Sequence, residues 1–88
     1  MLIEFDPAKD AINIAKHGMS LADAKGFEWD SAMMWADTRE DYGEDRMSAV
    51  GYIGATACYM AFVDRGDMCR VISLRRATSR EVKRYAET

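Results

Sequence analysis

The chain has 88 residues, of which 49% are hydrophobic, with a net charge of −3 and two cysteines. This bounds it to one domain (1–88) with a single core. It is too apolar for a disordered chain and lacks the run of roughly 18 apolar residues that a membrane span needs. No charged-then-apolar leader precedes residue 20, so the expected setting is soluble and cytoplasmic, with no membrane contact.

In chain order, MLIEF (1–5) reads as a short strand or an extended lead-in. Asp6-Pro7 then opens a helix, with Asp at the N-cap and Pro at N1, where its missing N–H costs nothing. Ala8, Ala11, Ile12 and Ala15 form one stripe, and Lys9, Asp10, Asn13 and Lys16 fall to the sides or outside. Lys16-His17-Gly18 closes the helix, with cations in its last turn and Gly beyond it. Ser20 with Asp23 restarts a second helix that Gly26 ends.

After residue 27 the periodicity changes. SAMMWA (31–36) reads as a strand, followed by the turn-like DTREDYGED (37–45). RMSAVGYI (46–53), TACYMAFVD (56–64) and MCRVISLR (68–75) read as three antiparallel strands joined at Gly54 and Gly66. Thr78 and Glu81 make a capping box for a terminal helix bearing Val82 and Tyr85. The expected fold is therefore α+β: two N-terminal helices, a four-stranded antiparallel meander sheet and a C-terminal helix. A turn around Arg65-Gly66 that pairs 64 with 67 sets 62 opposite 69 and 58 opposite 73. Cys58 and Cys69 are then too far out of register for a disulfide. Phe27, Trp29, Met33, Met34 and Trp35 form the largest apolar cluster, which serves as core or, at Met33-Met34-Trp35, as a patch where a partner segment docks.

Charge is unevenly divided. Residues 1–64 hold five Lys/Arg against twelve Asp/Glu, a balance of −7, whereas residues 65–88 hold seven against three, a balance of +4. Guanidinium groups gathered at one end suit phosphate, because the planar fork donates two hydrogen bonds to one anion. The competing reading is a solvated, salt-bridged helix face. No Gly-rich phosphate loop, metal-ligand spacing or nucleophile motif marks a small-molecule enzyme, and neither a metal nor a cofactor is implied.

Three segments in this order, FDPAKDAINIAKHG (5–18), DYGEDRMSAVG (41–51) and ISLRRATSREVKRY (72–85), resemble the BrnT toxins of type II toxin–antitoxin pairs. The first segment matches through Asp6, Lys9, Asn13, Lys16, His17 and Gly18. The second matches through Glu44, Arg46, Val50 and Gly51. The third matches through Ser73, Arg75, Arg76, Ala77, Thr78, Glu81 and Tyr85. Many relatives carry a histidine a few residues before the Glu-x-Arg; here that stretch is Arg39-Glu40-Asp41-Tyr42. The resemblance implies a RelE-like fold and a ribonuclease toxin that inhibits translation. It also implies a BrnA-like antitoxin partner, RNA as substrate (on or off the ribosome), and operator DNA only through the antitoxin complex. The alternative is a non-catalytic member that acts as an antitoxin-binding module.

Metal-independent cleavage of this kind needs a base for the ribose 2′-OH, cations for the charged phosphorus centre and an acid for the leaving oxygen. Arg46, Arg75 and Arg76 are candidate phosphate clamps. Arg70 is a further RNA-binding cation, and strand parity sets it on the face opposite Arg75. His17 is the one residue of a type whose unperturbed pKa lies near neutrality, which makes it a candidate acid or base; as a cation in the last helical turn it also serves simply as a cap. Lys9 and Lys16 reach toward the phosphate or lie over the core. Arg80, Lys83 and Arg84 extend the basic surface. Tyr85 stacks on a base, donates a proton or anchors the last helix. Glu81 is a capping-box acceptor before it is a base, and Glu44 is placed to pair with Arg46.

Overall fold

The computed structural model describes residues 2–39, 41 and 43–87. Met1, Glu40, Tyr42 and Thr88, which belong to the expected N-terminal, 37–45 and closing segments, lie outside the described residues. A five-stranded sheet has β1 (Leu2–Glu4), β2 (Met33–Ala36), β3 (Arg46–Ile53), β4 (Thr56–Arg65) and β5 (Met68–Arg76) in the order β1-β5-β4-β3-β2. The meander β2–β5 is antiparallel as expected. The first residues add a fifth strand, parallel to β5 through Ile3 and Cys69, so the sheet is mixed. Two helices flank it, α1 (Pro7–His17) and α2 (Ser79–Ala86). Among the described residues no helix is long and apolar enough to cross a membrane.

The expected second helix is 3₁₀-helical over Leu21–Gly26, with the Ser20/Asp23 capping box in place. Leu21 and Ala24 are its fully buried residues, and a three-residue period sets those two in line. A second 3₁₀ turn spans Trp29–Ser31.

Helix α1 reverses its expected orientation. Its apolar stripe, Ala8, Ala11, Ile12 and Ala15, is exposed, with Ile12 64% accessible, and its buried residue is Asn13. The reason lies in the sheet. β1 pairs β5 only at residues 68–70, so the outer edge of β5 beyond it needs partners. Asn13 supplies them at Leu74: its amide nitrogen donates to Leu74 O at 2.8 Å and its Oδ1 accepts from Leu74 N at 3.2 Å. The same nitrogen donates to Met19 O at 2.8 Å. A side-chain amide thus stands where a neighbouring strand would, because a buried backbone N–H or C=O must be paired.

The main core lies on one sheet face, where Leu21, Ala24 and Phe27 pack over Ala49, Met60, Phe62, Val71 and Leu74. A smaller cluster on the other face joins Val50, Tyr59 and Ala61 to Met33, Trp35, Ile72 and Tyr85. The sheet therefore divides the expected aromatic–methionine cluster: Phe27 and Trp29 cover the first face, Met33 and Trp35 the second. Gly51 lets Phe27 sit close, since a Cβ there would be 2.7 Å from the ring.

The β4–β5 turn is one residue later than expected. Arg65 pairs with Met68, so Gly66 (φ 81°) and Asp67 form the two-residue turn, with Gly where positive φ is needed. Cys69 then faces Asp64, Cys58 faces Arg76, and both thiols are free and buried. Burial pushes the Cys69 thiol up to about 11.

Candidate functional site

One irregularity in β5 organises the sheet face opposite the main core. Ala61 pairs with Ser73 but Phe62 pairs with Val71, which leaves Ile72 as an extra residue in β5. Such a bulge reverses the alternation of side chains beyond it. Arg70, opposite Val63, and Arg75, opposite Tyr59, consequently lie on the same face, contrary to strand parity. Arg46 also pairs with Val63, so Arg46 and Arg70 flank one residue from either side.

Arg75 is the centre of this face. Its guanidinium carbon lies 4.2 Å from the centroid of the Tyr59 ring, within cation–π range. Its two terminal nitrogens donate to the two carboxylate oxygens of Glu81 at 2.8 and 2.9 Å. This contact raises the already high pKa of Arg75, and it holds the Glu81 carboxyl below the usual carboxylate range. Glu81 also accepts from Thr78 N at 2.8 Å as the capping-box acceptor, so one carboxylate both starts α2 and ties it to β5.

Beside Arg75, the Tyr59 hydroxyl and Ser48 Oγ share a hydrogen bond of 2.7 Å. Arg39 donates to the same hydroxyl at 3.3 Å and makes a forked contact with Asp37 at 2.9 and 2.8 Å. The Asp37 side chain is only 1% exposed. Its backbone N–H donates to Arg46 O at 2.8 Å, which fixes the loop to β3. Around this centre the face is aromatic and basic. Arg84 lies 5.1 Å over Trp35, and Tyr85 meets Tyr52 edge to face at 5.8 Å. A cleft of about 230 Å³ opens at the β5 edge, lined by Lys9, Lys16 and His17 of α1 and by Ile72 and Ser73 of the bulge.

Of the residues expected from sequence, Arg46, Arg70, Arg75, Arg84 and Tyr85 share this face, and Lys9, Lys16 and His17 border it through the bulge. Arg76 does not join them: its register partner Cys58 belongs to the covered face. Arg80 and Lys83 are exposed on α2. Glu44 is 3.7 Å from Arg65 rather than being the expected partner of Arg46. Sequence reasoning missed Tyr59, Ser48, Arg39 and Asp37. The signal for the first two was a phenol and a hydroxyl in the middle of otherwise apolar strands, on the parity opposite the core.

Residues 5–81 match the family model described as the ribonuclease toxin BrnT of type II toxin–antitoxin systems. The fold is similar to the crystal structure of the Brucella abortus ribonuclease toxin, BrnT, with a TM-score of 0.69 and 34% identity, covering 90% of this chain and 99% of that one. No curated protein gives a significant match.

Proposed function

The chain belongs to the BrnT family of ribonuclease toxins of type II toxin–antitoxin systems, and from that premise we propose that its single domain cleaves RNA at the arginine-bearing sheet face by a metal-independent route. The family match favours this reading over a binding-only module. In the reaction a base takes the 2′-OH proton and O2′ attacks the adjacent phosphorus. The P–O5′ bond then breaks as an acid protonates O5′, leaving a 2′,3′-cyclic phosphate and a 5′-hydroxyl. Cations must hold the charge that grows on the non-bridging oxygens.

The observation that carries the proposal is the Arg75 fork, stacked on Tyr59 and already closed around an oxyanion, the Glu81 carboxylate. A phosphate presents the same geometry to the same donors, so Arg75 is the clamp and RNA competes with Glu81 for it. Arg46 and Arg70 contact neighbouring phosphates, while Arg80, Lys83 and Arg84 on α2 lengthen the basic track. Trp35, Tyr52 and Tyr85 offer faces for bases. Tyr59, oriented by Ser48 and Arg39, supplies a hydroxyl for proton transfer on the ring that carries the clamp. His17, with Lys9 and Lys16, stands at the rim of the face as the second candidate for proton transfer. The partner is a BrnA-like antitoxin in the cytoplasm, and operator DNA is reached only through that complex.

Cleavage of a short RNA, followed with EDTA present and with the end groups identified, tests this. Folded Arg75→Ala is expected to lose about 10²–10³ in kcat/KM, and Tyr59→Phe to lose activity while retaining RNA binding. A folded Arg75→Ala protein that cuts as fast as wild type overturns the proposed clamp.

A further inference from the structure

Among the described residues β2 is the last strand of the sheet, so one of its edges has no neighbouring strand. Edge strands are normally blunted by lysine, proline or inward charge, and Met33–Ala36 carries none of these. Met34 is 50% exposed on this edge. It forms one wall of a groove of about 550 Å³, together with Trp29, Met47 and Phe62. Three carboxylates, Asp30, Asp45 and Asp64, complete the lining. Among the described residues none of the three enters an ion pair. The groove is thus apolar within and anionic around, on the sheet face opposite the arginines.

We propose that the outer edge of β2 and this groove receive an extended, apolar segment of the antitoxin flanked by lysine or arginine. The proposal rests on the toxin reading above, which supplies the antitoxin. Addition of a strand to β2 would pair its open backbone edge, and alternate side chains of the segment would enter the groove beside Met34. Charge then separates the two ligands. The polyanion is drawn to the arginine face, where the same cations repel a basic peptide, and the carboxylates at the groove attract that peptide. The site also accounts for neutralisation. The groove shares Asp45 and Met47 with a second cleft whose lining includes Asp37, Arg39 and Arg46. A segment lying along β2 is therefore led to the rim of the RNA face.

The test uses the full chain and its cognate antitoxin. Wild type, Asp30→Lys/Asp45→Lys and Met34→Asp are compared for RNA cleavage alone, for antitoxin affinity at two salt concentrations and for self-association. Expected are unchanged cleavage and an antitoxin affinity at least about tenfold weaker in each variant, with the salt dependence reduced in the double variant. Variants that fold and bind antitoxin as tightly as wild type overturn the docking site and leave the ribonuclease reading intact. So do variants that change only self-association. A wild type that cuts no RNA refutes the ribonuclease reading alone, and the affinity comparison still decides the docking site.

Discussion

Asn13 offers the sharpest test of how this fold is held. Its amide donates twice and accepts once, and it is 5% exposed. Asn13→Ala leaves the N–H and C=O of Leu74 and the C=O of Met19 without these partners. At roughly 1–3 kcal/mol for each buried group left unpaired, with partial relief from water at Met19, the loss is about 3–5 kcal/mol. A domain of this size has a total of only about 4–13 kcal/mol. Asn13→Asp is more discriminating because the shape is kept. The carboxylate retains the Leu74 N–H bond but sets an oxygen against two carbonyls that are 2.8 Å from the present nitrogen. Burial and those carbonyls raise the folded pKa of the new Asp above its unfolded value of about 3.9. Its contribution is therefore most favourable below that value and is lost as pH rises through the folded pKa. Urea unfolding followed by tryptophan fluorescence should show a deficit of about 3 kcal/mol or more at neutral pH that narrows in acid. An Asn13→Asp protein within about 1 kcal/mol of wild type at pH 7, or one whose deficit does not change with pH, refutes the view that this amide replaces a strand.

Two further outcomes follow from other contacts. Glu81→Gln removes the charged half of the fork on Arg75 and should cost about 1–2 kcal/mol at neutral pH, the pair being only partly exposed. Because the Glu81 carboxyl is held low in the folded state, its contribution is present above the unfolded value of about 4.3 and is lost as pH falls through the folded one. Wild type should thus lose more stability than Glu81→Gln on acidification below that range; equal acid profiles for the two would count against the pairing. Gly51→Ala sets a methyl group 2.7 Å from the Phe27 ring and 3.1 Å from Ala32 Cβ. Thermal unfolding should report a loss of about 1–3 kcal/mol, and an unchanged melting temperature would show that Phe27 moves freely aside.

Much of the architecture was legible in local sequence. Asp6-Pro7, Gly18, Thr78 with Glu81, and the glycines at 54 and 66 mark element ends through their own backbone chemistry, and the meander β2–β5 follows from them. The BrnT resemblance rested on polar residues at fixed spacing, which survive in the chain whatever the surrounding packing. Arg46 and Arg75 were visible as candidates for the same reason.

The tertiary structure decided what depends on register and on edges. One extra residue at Ile72 put Arg70 and Arg75 on a common face, and no pattern within β5 announces a bulge that exists only relative to β4. The apolar stripe of α1 pointed to a buried face. The open edge of β5 overruled it, because pairing the Leu74 backbone through Asn13 outweighs covering a few alanines and an isoleucine. Tyr59 and Ser48 became candidates only when β3 and β4 set their hydroxyls 2.7 Å apart and the 37–39 loop brought Arg39 to them. Local sequence determined most of the helix and strand segments and where the cationic side chains fall, since those properties belong to single residues and their neighbours. Which of those side chains face one another was settled by strand register, a property of pairs distant in the chain.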